Sequence, residues 1–168
     1  MNKIFKKIPN DGFSLVEILV AITIIVVALV ALSGFNIYSI YIASLTREEL
    51  LADHLAVEAM EAVRSFRNST DWDTDGIGSL TVGDSYHPYF VIDTASSSWQ
   101  MATGTDSINQ YERSVVFDNV SRSTSTDDIH TNYDPLYDDP KTRKVSINVS
   151  WGENSSTTII SYITSWFQ

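Results

Sequence analysis

The chain has 168 residues, with 11 basic against 21 acidic side chains and a formal net charge of -10. This acidity argues against DNA or anionic membrane surfaces as general partners. The absence of cysteine excludes a disulfide staple and any thiolate chemistry.

The first element is an apolar run from Phe13 to Phe35 whose only charged side chain is Glu17. As a helix it is about 35 Å long at 1.5 Å per residue, enough to cross a bilayer. Lys3, Lys6 and Lys7 stand before it with a single acid, Asp11. That bias predicts an N-terminus held in the cytoplasm and everything after Phe35 sent outward. A secretory signal would be cut after its apolar core, nearest Ala31-Leu32-Ser33. The more telling junction lies in front of the core, at Gly12-Phe13.

Gly12-Phe13-Ser14-Leu15-Val16-Glu17-Ile18-Leu19-Val20-Ala21 resembles the processing signal of the type IV filament family, the type IV pilins and the pseudopilins of type II secretion. The likeness covers residues 1 to about 35: a basic leader, Gly, Phe, Glu and an uninterrupted apolar helix in fixed order. The resemblance implies that residues 1–12 are a leader and that a prepilin peptidase cuts after Gly12. It also implies that Phe13 becomes the N-methylated first residue, and that the subunit joins other pilins through its N-terminal helix at an inner-membrane assembly platform. Glu17 has a physical argument of its own. A carboxylate in a membrane helix costs a few kcal/mol, so it needs a partner or a route to the interface. Cleavage at Gly12-Phe13 creates a new α-amine four residues away, and the resemblance implies that Glu17 pairs with that amine on a neighbouring subunit, setting the filament's axial register. The plainer reading has Glu17 reaching the headgroups from its place near the helix end.

The second element continues the first. Tyr38, Ile42, Leu45, Ala52, Leu55, Ala59, Val63 and Phe66 recur at three- and four-residue steps or their sum, with Arg47, Glu48, Asp53, Glu58, Glu61 and Arg64 on other faces. This predicts an amphipathic helix over 36–68 whose apolar stripe packs on a sheet. Many type IV pilins carry a proline near the middle of this rod; Ser33-Gly34 stands there instead, so local melting of the helix on assembly is not implied. His54, between Asp53 and Leu55, reads as a solvated histidine. The exported part carries 8 basic and 20 acidic residues, more acidic than the whole.

The helix runs out at Asn68-Ser69-Thr70. Asp71-Trp72-Asp73-Thr74-Asp75-Gly76 then matches the first half of an EF-hand loop, with Asp71, Asp73 and Asp75 as candidate calcium ligands. The second half fails, because the twelfth position is Val82 instead of Glu. A metal-free Asp-Gly turn is the simpler reading, and a second acidic set, Asp134, Asp138 and Asp139, is spread around two prolines.

Residues 69–168 form a loop-rich β domain of about 100 residues, close to the usual size of a single domain. Tyr86 to Asp93, Trp99 to Met101 and Tyr111 to Phe117 are short β-favouring runs. Turns are expected at 94–98 and 103–106, and a long polar loop from Ser121 to Lys144. Val145, Ile147, Val149 and Trp151 alternate with Ser146, Asn148 and Ser150, Gly152 to Ser156 turns, and Thr157 to Trp166 returns. The expected fold is α+β, a long N-terminal helix whose outer half packs on an antiparallel sheet of four or five strands. Arg113-Ser114-Val115-Val116-Phe117, Asp139 to Val145, Val149-Ser150-Trp151 and Tyr162 to Trp166 resemble the V-type minor pilins and related minor pseudopilins. This implies an accessory subunit in place of an abundant shaft subunit.

Catalysis finds no motif: there is no Gly-x-Ser-x-Gly elbow, His-Glu-x-x-His pair or Gly-rich phosphate loop. Asn68, Asn119, Asn148 and Asn154 each open an Asn-x-Ser/Thr triplet, a count that a Ser/Thr-rich chain reaches by chance. The tryptophans read as core anchors before a carbohydrate platform. The rival to a filament subunit is a monomeric, membrane-anchored binding or adhesion domain that never polymerises.

Overall fold

A computed structural model describes residues 14–92 and 97–165. Gly12, Phe13, Asp93 and Trp166 lie outside the described residues. The chain divides into two compact units, Met1–Thr46 and Arg47–Gln168.

In the first unit the described residues are helical from Leu15 onward, as part of α1 (Leu15–Ser69). Every side chain from Ser14 to Thr46 is exposed. The hydroxyls on this surface are turned back into the helix. Thr23 Oγ1 donates to the Leu19 carbonyl (2.8 Å), Ser33 Oγ to Leu29 (2.9 Å) and Ser44 Oγ to Tyr41 (3.0 Å). Such back-bonding removes the cost of carrying a free hydroxyl into hydrocarbon. Nothing lies within 4 Å of where a Gly34 side chain would sit, so Gly34 serves no close approach among the described residues.

The second unit sets residues 47–69 of α1 on a six-stranded sheet. Its strands are β1 (Ser85–Ile92), β2 (Ser97–Thr103), β3 (Asp106–Ile108), β4 (Tyr111–Ser121), β5 (Asp138–Trp151) and β6 (Ser155–Thr164). The order is β2-β1-β4-β5-β6, all neighbours antiparallel, with β3 added on β4. Period-two alternation decides the faces. Tyr111, Val115 and Phe117 of β4 and Val145, Ile147 and Val149 of β5 are buried, while Glu112, Ser114, Ser146 and Asn148 between them are not. Against that face the helix presents Ala52, Ala56, Ala59, Val63 and Phe66, at steps of three and four. Three of the five are alanine, which lets the helix axis come close to the sheet. Met60 and Ala62 are buried as well, beyond that stripe. Ile77, Tyr86 and Ile163 close the core, with Tyr86 edge-on to Phe117 at 5.7 Å between ring centres.

The helix runs alongside β6. Thr157 Oγ1 donates to Asp53 Oδ1 (2.8 Å), and Arg67 Nη2 donates to the Thr164 carbonyl (2.8 Å). Fourteen helical residues rise about 21 Å, and seven strand residues about 23 Å, so equal lengths of the two elements lie between these contacts.

Two features depart from the sequence expectation. First, the sheet has six strands. Residues 106–108, within and just past a predicted turn, form β3, held because Asp106 pairs with Arg113 of β4 (Nη2–Oδ2 2.9 Å). Second, the polar stretch 121–144, expected as one ordered or semi-ordered loop, is loop only in part. β4 runs to Ser121 and β5 begins at Asp138, leaving residues 122–137 between them. Arg122 organises that segment: its guanidinium meets Asp139 Oδ2 (3.0 Å), the Asp127 carbonyl (2.6 Å) and Thr142 Oγ1 (3.3 Å). Asp134 caps the turn Pro135–Tyr137 by accepting from the Leu136 N–H (3.0 Å). Pro140 is tolerated inside β5 because the β4–β5 register shifts between Asn119 and Ser121, and Pro140 pairs with neither neighbour.

Candidate functional site: the apolar helix and the Asp71 loop

Two places carry chemistry, and each lies within one unit. The first is the helical surface 15–46. Leu15, Val16, Ile18, Leu19, Val20 and Ile22 open it and Ile40, Tyr41, Ile42 and Leu45 end it, all exposed. The helix is long and apolar enough to cross a membrane. No hydrophobic effect stabilises such a surface in water. It needs lipid or other apolar helices around it, and single-sided amphipathic packing does not suffice. Glu17 sits in the first turn of α1, where the helix dipole favours an anion. It is the one charged group on this surface, and Gly12 and Phe13, where the sequence reading expects the cut, lie outside the described residues.

The second place is the turn after the helix. Its aspartates already have protein partners. Asp71 Oδ1 accepts from the N–H groups of Asp73 (3.1 Å) and Thr74 (3.2 Å) and from the Thr74 hydroxyl (3.1 Å). These bonds, the Asp73 N–H first among them, hold the Asp71 carboxyl below the usual aspartate range. Asp75 Oδ1 turns back to the Asp71 N–H (2.8 Å), and Asp73 Oδ2 faces Lys141 Nζ (2.9 Å). Among the described residues no group of three or more histidine, aspartate or glutamate side chains is placed to hold a metal ion. The glycines serve the turn by close approach. A Cβ at Gly76 would stand 2.5 Å from the Asp71 carbonyl oxygen, and one at Gly78 2.5 Å from the Trp72 ring. Trp72 in turn donates Nε1–H to the Pro140 carbonyl (3.1 Å), fastening the turn to the start of β5.

Of the other residues singled out by sequence, His54 is exposed on the helix. Asp134, Asp138 and Asp139 are separately engaged, by the Leu136 N–H, the Tyr133 hydroxyl (3.1 Å) and Arg122. Trp151 packs against Tyr111, with ring centres 5.9 Å apart. Sequence reasoning missed the Arg113 cluster. Arg113 is buried on the helix-facing side of β4, where it meets Asp106, Glu58 (3.4 Å) and the Leu55 carbonyl (3.3 Å). The signal was a charge at an inward position, between Tyr111 and Val115.

Comparison with known proteins agrees with the N-terminal part of this description. Residues 9–33 match the model of the prokaryotic N-terminal methylation motif. No curated protein and no solved structure gives a significant match. The head is thus described by its own α+β architecture, a helix on an antiparallel sheet in a pilin-like arrangement. At its N-terminus the chain carries the methylation motif characteristic of type IV pilins and pseudopilins.

Proposed function

We propose that this chain is a minor, accessory subunit of a type IV pilus or a type II secretion pseudopilus. It is made as a membrane-anchored precursor with its N-terminus inside and its head outside. A prepilin peptidase cuts it after Gly12, Phe13 is methylated, and the mature helix joins those of other subunits. The observation that carries this reading is the pairing of the motif at 9–33 with a helical surface that is exposed and mostly apolar through residues 15–46, its one charged side chain being Glu17. Such a surface suits first a bilayer and then a bundle of like helices. The accessory role rests on the likeness of the segments around Arg113, Arg143, Trp151 and Tyr162 to minor pilins. The motif's family is structural rather than catalytic. Co-expression with a prepilin peptidase tests the reading. The mature protein should begin at Phe13, and Gly12→Val should leave the full precursor. A mature N-terminus near Gly34 would mean ordinary signal cleavage and overturn the proposal.

A further inference from the structure

The sheet of the head inverts the usual placement of charge. Natural sheets guard their edges with lysines, prolines or bulges, because an open edge offers unpaired N–H and C=O groups to any passing strand. Here the charges stand on the interior strands, among them Glu112, Arg113 and Asp118 on β4 and Lys141, Arg143 and Lys144 on β5. Among the described residues the strands that end the order, β6 (SSTTIISYIT) and β2 (SSWQMAT), contain no charged residue and no proline, whereas the short β3, paired with β4 alone, carries Asp106. Neither edge is bulged: β6 pairs with β5 over ten consecutive residues and β2 with β1 over seven. Ile160 and Tyr162 are exposed on the outer face of β6.

Such an edge is complementary to one thing, another extended backbone. Residues 47–168 carry 8 basic and 19 acidic side chains, so two heads repel over most of their surfaces and can approach along strands that carry no charged side chain of their own, Asp53 and Arg67 of the helix being bonded to β6. Direction selects the strand. β6 runs with the helix, as the Asp53–Thr157 and Arg67–Thr164 contacts show. With all neighbours antiparallel in the order β2-β1-β4-β5-β6, β2 runs the same way as β6. Two copies whose helices point the same way cannot pair β6 with β6 antiparallel. They can pair β6 of one with β2 of the next in parallel, keeping both helices on the same face of a continuous sheet. We infer that the β6 edge is a docking strip for the β2 edge of a second copy of this chain, a head-to-tail contact that continues the sheet from subunit to subunit. The inference rests on the filament reading only for the shared helix direction.

The cysteine-free chain makes the test direct. Full-length protein with single cysteines at Thr158, Ile160 or Tyr162 is co-expressed in one membrane with protein carrying single cysteines at Ser98, Gln100 or Ala102, and the membranes are oxidised. These positions lie on the outer face of β6 and β2. At least one β6–β2 combination should give a disulfide dimer that is lost when either partner is wild type. Dimers from β6 cysteines alone would mean self-pairing and overturn the assignment. Dimers no stronger than those of Leu136→Cys, an exposed site away from both edges, would also overturn it. Val27→Cys in the apolar helix separates the two readings. Helix crosslinks without head crosslinks would remove the edge contact and leave the assembly standing, whereas loss of both would remove both.

Discussion

Arg113 and Asp106 form a two-bond ion pair beneath the helix, with Nη2–Oδ2 at 2.9 Å and Nε–Oδ1 at 3.2 Å. The guanidinium is 3 % exposed and also reaches the helix through the Leu55 carbonyl. A short strand, β3, thus owes its place to one carboxylate. Removing one partner of a buried pair leaves the other uncompensated and costs about 3 kcal/mol, while replacing both by apolar residues is close to neutral. Asp106→Ala leaves Arg113 the longer Glu58 contact and the Leu55 carbonyl, so it should destabilise the head by up to about that amount, and adding Arg113→Met should restore most of it. Denaturant melts of the four-variant cycle check this. Equal destabilisation by the single and double changes would show that the pair contributes nothing beyond its shape.

The turn after the helix yields a prediction about calcium. A cation at Asp71, Asp73 and Asp75 would compete with three hydrogen bonds at Asp71 Oδ1 and with the Asp73–Lys141 ion pair. The turn closes without it, so we propose that millimolar calcium leaves the melting temperature unchanged. A rise that Asp73→Asn abolishes would restore the EF-hand-like reading. The same geometry predicts a larger effect from Gly78→Ala. Its methyl would collide with Trp72 and break the Nε1 bond to Pro140. Destabilisation of about 1–3 kcal/mol is expected, as for other overpacked sites, with a change in the fluorescence of Trp72.

Much of this was legible in the sequence because it rests on periodicity. A step of three and four marked Ala52, Ala59, Val63 and Phe66, and a step of two marked Val145, Ile147 and Val149. Both are the residues that meet in the core. The N-terminal motif was legible because a fixed order of Gly, Phe and Glu before an apolar run is rare. What escaped was non-local. Nothing near residue 106 announces that Asp106 will meet Arg113, and the polar run after Ser121 gives no periodic sign that Arg122 will hold Asp139. Acidic spacing is ambiguous by itself. Alternate aspartates resemble a calcium loop, yet the same spacing serves carboxylates that accept from their own backbone.

Glu17 provides the functional prediction. The head packs through residues 47–165, so it does not need this charge to fold. Glu17→Gln should leave export and peptidase cleavage largely intact while reducing entry into filaments, because an amide pairs poorly with an α-amine in hydrocarbon. Sheared filaments from cells expressing each form, probed for this subunit against total membrane content, measure the ratio. Equal incorporation of the two forms would remove the register-setting role and leave Glu17 a group that reaches the headgroups.

The pH dependence of the head between acid and mildly alkaline conditions draws on Asp71, Asp139 and Tyr133, whose titrations are displaced. Asp71 is held low by its backbone and Thr74 hydrogen bonds. At Asp139 burial works against the charge, but bonds from Thr142, Arg122 and the Lys141 N–H outweigh it and the carboxyl again lies low. A carboxylate with a depressed folded-state pKa contributes stability that is complete above its unfolded value of about 3.9 and is lost as pH falls through the folded value. Tyr133 is displaced upward, by desolvation and then by its bond to Asp138. Its contribution is complete below the unfolded value of about 10 and is lost as pH rises beyond it. Melting temperature should therefore be flat through neutrality and fall below about pH 4 and above about pH 10. Asp139→Asn should lower the plateau and flatten the acid limb, since it removes both the Arg122 pair and the group that titrates. An acid limb unchanged in both Asp71→Asn and Asp139→Asn would assign acid unfolding to other carboxylates. Tyr133→Phe, which keeps the ring and deletes the titrating hydroxyl, should shallow only the alkaline limb.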